Sequence, residues 1–353
     1  MNDADEVLFA RSGALATITL NRPKALNALN LSMIEKIDPE LAAWESDDAV
    51  AAVLIKGTGE KAFCAGGDVR AVWEAGRSGG DLTKRFFWEE YSLNRRIHMF
   101  PKPYVALLDG VTMGGGVGLS IHGSHRVATE RLMFAMPETG IGLFPDVGGT
   151  WFLNECPGET GLFLALTGTR IGAADAAALN LATHVVASDK LEALEAALAG
   201  ADLSGDATGA IDAVLADFAG HAGEPVLAPH RAVIDRCFAY DRLEDIFAAL
   251  ESDGSDFAAD TLATLKKKSP MSMKVTLAQL RRGKGMDFDA SMTMEYRLSQ
   301  GCMRPGSDFY EGIRAVLVDK DHSPNWRHAT PEEVSDEEVE GFFAPVEREL
   351  LFD

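Results

Sequence analysis

The sequence predicts an α/β protein with a helical C-terminal region, and three observations carry that expectation. Short apolar runs ending in turn residues alternate with helix-period segments over the first two hundred positions. Two glycine-rich turns close two of those runs. Beyond about residue 223, nearly every segment has apolar residues three and four apart.

Taken in order, ALATITL (14–20), AAVLIKG (51–57) and YVALLDG (104–110) read as buried strands. Between the first two, Leu31, Met33, Ile34, Ile37, Leu41 and Trp44 recur near helical spacing, with Asn30 or Ser32 as the cap. HRVATE (125–130) and RLMFAM (131–136) read as two more strands around a tight charged turn, and ATHVVA (182–187) follows a helix rich in Ala and Leu. From Gly200 to Gly223 the residues Gly, Ala, Asp and Ser dominate, which suits a partly helical connection. HRAVIDRCFA (230–239), EDIFAALE (244–251), DTLATLKKK (260–268) and MSMKVTLAQLRRG (271–283) then read as helices. DFYEGIRAVLVDKDHSPNW (308–326) reads as an amphipathic helix stopped by Ser323-Pro324. The expected division is a core over residues 1–200 and a helical region over 201–353, with functional loops at strand ends.

Bulk properties narrow the function classes. A formal charge of −21 argues against a nucleic-acid partner and against an anionic membrane surface. It leaves open a CoA-sized anion, which a few local Lys or Arg residues and helix N-termini can hold. Cys64, Cys156, Cys237 and Cys302 are scattered without a CxxC pair, so neither a zinc site nor a disulfide framework is expected, and a reducing cytosol fits. The opening MNDADEVLFARSG is acidic and short, and no apolar run approaches the ~18 residues of a membrane span, so the expectation is a cytoplasmic protein.

The chemistry concentrates in two glycine turns and two acids. Gly114, Gly115 and Gly116 follow Met113 at a strand end and open an expected helix, GLSIHGS (118–124). Glycines there leave backbone N–H groups free to hold a developing oxyanion, although a bare strand-to-helix turn has the same pattern. Gly66 and Gly67 in FCAGGD (63–68) pose the same choice, with Asp68 as a cap for the next helix. Glu138 and Asp146 lie in MPETGIGLFPDVGG (136–149), each directly after a proline and flanked by Phe134, Met136, Ile141, Leu143 and Phe144. Apolar surroundings raise a carboxyl pKa, which suits proton transfer near neutrality. Taken alone, Asp146 reads first as the N-cap of a helix starting near Val147, whereas Glu138 has no evident packing role. GRSGG (76–80) has the GxSxG form but no apolar strand before it, and Ser120 with His122 sets up no triad. His122 reads as a packed helix histidine, and Lys266, Lys267 and Lys268 as a solvated helix end.

NRPKALNALN (21–30), CAGGDV (64–69), MGGGVG (113–118) and PETGIG (137–142), in that order and at these separations, resemble the crotonase (enoyl-CoA hydratase/isomerase) superfamily. GGGVGLSIHG, FAMPETGIGLFPDVGG and the tail EYRLSQ…DFYEGIRAVLVDKD…PNW resemble its 3-hydroxyisobutyryl-CoA hydrolase branch, over about residues 6–328. The resemblance implies a ββα-spiral core and a CoA thioester substrate of which CoA is itself a part, with no metal or redox cofactor. It implies oxyanion donors at Gly67 and Gly115, and a catalytic pair in Glu138 and Asp146. It places Glu90, in FFWEEYSLN (86–94), on the substrate hydroxyl, where the residues alone read as a solvated helix acid. Lys24 would meet the CoA phosphates or the adenine, with Ala25 and Leu26 as apolar wall; simple exposure of Lys24 is an equal reading.

One departure matters. Hydratases of the superfamily carry a second catalytic Glu just after the glycine cluster, and here that position is Gly118. The expectation is therefore hydrolysis of a β-hydroxyacyl-CoA, as in valine degradation. The alternatives are a hydratase or isomerase using Glu138 alone, and a silent acyl-CoA-binding scaffold. Crotonase relatives often form trimers or hexamers, which leaves a homo-oligomer open.

Overall fold

The structure is a computed structural model describing residues 5–352. Internal packing divides the chain into two units interleaved in sequence. Residues up to 67, 92–134 and 170–226 form the first, and 68–91, 135–169 and 227 onward form the second.

The first unit is built on a six-stranded sheet. Its strands are β1 (Val7–Ser12), β2 (Leu15–Leu20), β3 (Ala52–Gly57), β5 (Tyr104–Leu108), β7 (His125–Ala128) and β9 (His184–Val185), in that spatial order. β1 runs antiparallel to β2, while the remaining pairs are parallel, with Ile18 opposite Ile55 and Ile55 opposite Ala106. All five residues of β5 are buried, the pattern of a parallel strand covered on both faces. Leu15, Leu54, Val105, Leu107 and Val127 share one core cluster with Leu194, Leu198, Ile211 and Leu215. Helix α1 (Leu31–Ser46) buries Met33, Ile34, Ile37, Leu41 and Trp44, and Asn30 is its cap, accepting the Met33 N–H at 2.9 Å. The stretch 200–223 contains a helix, Ala207–Asp217, capped by Asp206.

A second sheet positions the glycine turns. It orders β4 (Ala62–Cys64), β6 (Val111–Met113) and β8 (Met133–Ala135), and β4 pairs with β6 in parallel. Because the two strands point the same way, the turns that follow them emerge at the same end, Gly66-Gly67 beside Gly114-Gly115. The approach is close enough that a Cβ on Gly116 would lie 2.2 Å from the Cys64 carbonyl oxygen.

In this unit one strand, β1, has no counterpart among the expected elements, and one expected helix is corrected. β1 lacks a hydrophobic period because only Val7 of its six residues is buried; pairing to β2, not burial, makes it a strand. The helix after the glycines is α4 (Gly115–Gly118), earlier and shorter than 118–124. Ser120 Oγ bonds back to the Gly116 and Val117 carbonyls, and turns follow. His122 therefore lies outside a helix, half-buried and edge-on to His98 at 5.9 Å.

In the second unit, α2 (Val69–Ser78) starts under an Asp68 cap that accepts the Ala71 N–H. Helix α3 (Leu82–Met99) begins in this unit and carries Glu90 and Tyr91. The C-terminal segments form the expected helices Arg231–Cys237, Leu243–Asp253, Asp256–Leu265 and Pro270–Gly283, and a further helix, Phe288–Cys302, lies among them. The helix from Asp308 ends at Ile313 and gives way to a π-turn over Arg314–Val318, well before Pro324. Arg314 explains the early stop: its guanidinium binds Asp319, Asp321 and the Ser323 carbonyl, folding the chain back on itself. Among the described residues no helix is long and apolar enough to cross a membrane, and no group of three potential metal ligands occurs. The four cysteines are buried thiols.

Candidate active site

The first unit contains the two glycine turns. Gly66 holds a φ of 119° and Gly114 a φ of 47°, conformations that L side chains rarely adopt. Gly115 opens α4, so its N–H has no carbonyl four residues back within the helix. Gly67 forms a parallel bridge with Leu29, which ties its turn to the segment after the exposed 3-10 turn Pro23–Ala25. Lys24, Ala25 and Leu26 are all exposed at that turn, which follows β2. Gly118 is fully enclosed in α4, with no acid at its position.

The second unit contains the three acids Glu90, Glu138 and Asp146, and it buries them. Glu138, at the head of a 3-10 turn (Glu138–Ile141), is 5% exposed, Asp146 4%, and Glu90 on α3 2%. Burial is the largest influence on each and pushes all three carboxyls upward. Glu138 is raised well above its ordinary value, with the Asp146 charge adding to burial and the nearby Lys268 ammonium opposing it. Glu90 is raised by burial and then by Asp146 and Glu138. Asp146 is raised by burial to about 7, with the Tyr91 hydrogen bond pulling the other way. Buried carboxyls that raise one another oppose simultaneous ionisation. Glu138 Oε2 and Glu90 Oε1 are buried without a hydrogen-bond partner among the described residues. Unpaired buried carboxylate oxygens are costly in a folded chain and are the atoms a substrate or water can use.

Asp146 is not a helix cap. The short helix α5 (Gly149–Phe152) begins three residues later with Gly148 at its N-cap and no side-chain cap bond. The Asp146 carboxylate instead accepts the Tyr91 hydroxyl at 2.9 Å, both groups being buried. Glu90 is likewise no solvated helix acid. Lys266 and Lys267 are exposed as expected, but Lys268 is half-buried and acts on the Glu138 charge.

The Enoyl-CoA hydratase/isomerase family description matches residues 15–343. The 3-hydroxyisobutyryl-CoA hydrolase, mitochondrial, of Danio rerio is 51% identical over 98% of this chain and 91% of its own length. The protein of the same name in Homo sapiens is 48% identical over 96% of this chain and 89% of its own. The chain belongs to the 3-hydroxyisobutyryl-CoA hydrolase branch of the enoyl-CoA hydratase/isomerase family. Among solved structures, a carnitinyl-CoA dehydratase from Mycobacterium thermoresistibile matches with a TM-score of 0.93 and 41% identity, covering 99% of both chains. An enoyl-CoA hydratase from Rhodobacter sphaeroides matches with a TM-score of 0.91 and 40% identity, covering 99% of this chain and all of that one. The crotonase fold class expected from the sequence motifs is thereby established.

For this branch member, sequence reasoning misses two residues that the structure ties to the acids. Tyr91 has the spacing of a core aromatic on α3, and nothing local signals that its hydroxyl meets a carboxylate 55 residues away. Glu295, fully buried on the helix Phe288–Cys302, accepts the Gly148 and Thr150 N–H groups, each at 2.8 Å. A usable signal for Glu295 exists: it stands in an apolar stripe, three residues after Met292 and three before Leu298.

Proposed function

We propose that the chain hydrolyses a short-chain β-hydroxyacyl-CoA thioester, 3-hydroxyisobutyryl-CoA foremost, to the free hydroxy acid and CoA, a step of valine degradation. The observation that carries this reading is a complete set of buried acids around Glu138 combined with an enclosed glycine, not an acid, at position 118. Its support is the identity of about half to relatives named for that hydrolysis.

In the proposed reaction the thioester carbonyl accepts the Gly67 and Gly115 N–H groups, which oppose the negative charge developing on oxygen. Glu138 is the group that acts on the carbonyl carbon. In one form its unpaired Oε2 attacks, the C–S bond breaks, and a mixed anhydride forms that water then cleaves. In the other, Glu138 takes a proton from the water that attacks. Asp146, raised to about 7, is present in both protonation states near neutrality. It can therefore give a proton to the departing thiolate and take one back from water. Glu90 holds the acyl hydroxyl through its unpaired oxygen, and Lys24, Ala25 and Leu26 receive the CoA end. The reaction balances with water alone, so no cofactor enters beyond the CoA of the substrate. Single turnover in ¹⁸O water distinguishes the two forms, because only the anhydride carries label into the Glu138 carboxylate.

Hydration or dehydration is the second reading, since the two solved structures quoted above carry those names. Free thiol and enoyl absorbance, followed separately with 3-hydroxyisobutyryl-CoA and crotonyl-CoA, decide between them. Thiol release abolished by Glu138→Gln supports hydrolysis, and enoyl loss without thiol supports hydration. A homo-oligomer is proposed from the superfamily habit and is read directly by sedimentation. The curated relatives are named mitochondrial, and fractionation of the native host reads the compartment of this chain.

A further inference from the structure

The turn that carries Asp146 is held in a conformation its own sequence opposes. Gly149 N donates to the Asp146 carbonyl at 2.8 Å, closing a four-residue turn whose central residues, Val147 and Gly148, have φ values of 52° and 87°. Two successive positive φ values favour Asn and Gly, and a β-branched residue in that region is an outlier. Such strain persists only where surrounding groups over-determine the backbone. Here they are buried side chains from two other helices of the same unit. Glu295 uses one carboxylate oxygen for the Gly148 N–H and the other for the Thr150 N–H. Gln279, on the helix Pro270–Gly283, donates from Nε2 to the Pro145 carbonyl at 2.8 Å and to Thr150 Oγ1 at 2.9 Å. The turn is thus gripped on both sides of Asp146, and Val147 itself is fully buried within it.

We propose that Glu295 is a positioning residue for the hydrolysis: its carboxylate locks the strained Val147-Gly148 turn and so aims Asp146 at the reacting groups. The proposal rests on the hydrolase reading for its catalytic consequence, but the lock itself does not. Two N–H donors at 2.8 Å suit the ionised carboxylate, which accepts and does not donate. Burial opposes that charge and raises Glu295 to about 8, the Thr150 and Gly148 bonds pull back towards ionisation, and Asp146 adds to the rise. Asp146 and Tyr91 are the titratable groups that interact with it, so ionisation of Glu295 and of Asp146 is mutually unfavourable.

The experiment joins two readouts on the full chain. Amide hydrogen exchange follows Gly148 and Thr150 in wild type and in Glu295→Gln, which keeps the shape and replaces one acceptor oxygen by a donor. The expected result is exchange at these two amides faster by about ten-fold or more in the variant. Steady-state thiol release from 3-hydroxyisobutyryl-CoA gives the second readout. Here kcat falls by about ten-fold or more while KM moves less than about three-fold, because aim and not binding is lost. Val147→Gly added to Glu295→Gln removes the strain and is expected to recover several-fold of the lost kcat. Glu295→Asp, which withdraws the charge by one methylene, is expected to show the same split between kcat and KM. Unchanged exchange overturns the lock. Unchanged kcat, or a double variant no better than Glu295→Gln, overturns the positioning role. Wild-type silence toward the thioester refutes the hydrolase reading instead, and the exchange result then decides the lock.

Discussion

Asp146→Asn should make the protein more stable, and more so at alkaline pH. In the unfolded chain this carboxyl ionises near 3.8, whereas burial raises it to about 7 in the fold. A raised carboxyl holds its proton in the folded state while the unfolded state loses it. The contribution to stability is therefore intact below pH 3.8, declines as pH rises towards 7, and levels off above it. At about 1.4 kcal/mol per pKa unit, the wild-type fold carries a penalty of roughly 4 kcal/mol from this residue at pH 8.5 and under roughly 2 kcal/mol at pH 5. Asparagine removes the penalty and keeps an oxygen that can accept the Tyr91 hydroxyl, so no buried donor is orphaned. With a Tm response of about 2 °C per kcal/mol for a chain of this size, the variant should gain several degrees at pH 8.5. The gain at pH 5 should be less than half as large. Thermal melts of both proteins at the two pH values measure this without substrate. Equal gains at the two pH values, or none at pH 8.5, would refute the claim that Asp146 is buried against its charge.

Other expectations follow from the same geometry. Tyr91→Phe deletes the hydrogen bond that lowers Asp146, so Asp146 rises further and the pH–rate feature it controls should move upward by about one unit; a pH profile of kcat/KM checks it. Gly116→Ala would put a Cβ 2.2 Å from the Cys64 carbonyl oxygen, a backbone contact that must push β4 and α4 apart. A loss of about 2 kcal/mol or more in denaturant unfolding is expected, along with reduced kcat from displaced Gly115.

Much of the fold was legible because the informative strands are buried. β2, β3 and β5 announce themselves as short apolar runs, β7 as a strand before a tight charged turn, and Asp68 as a cap, while Asn30 shares that signal with Ser32. β1 was illegible for the opposite reason: five of its six residues are exposed, and pairing with β2 defines it. The tail helix was overextended because apolar spacing in 308–318 gives no hint that Arg314 will gather Asp319 and Asp321. Within the site, the glycine turns and Glu138 stand out locally, since a carboxylate among Pro, Phe and Ile residues has little else to do. Asp146 and Glu90 do not, because a helix cap and a helix-surface acid carry the same signature as a buried one. Tyr91 and Glu295 act through partners 55 and 147 residues away, a relation that only the tertiary fold establishes.

The central claim is that Glu138 drives water into a β-hydroxyacyl-CoA thioester. Continuous thiol detection with 3-hydroxyisobutyryl-CoA, comparing wild type with Glu138→Gln, tests it most directly. Steady thiol release by the wild type and a loss of about 10³-fold or more in kcat for the variant are expected, with both proteins folded. Thiol release that survives Glu138→Gln, or a wild type that consumes crotonyl-CoA without ever freeing thiol, would contradict it.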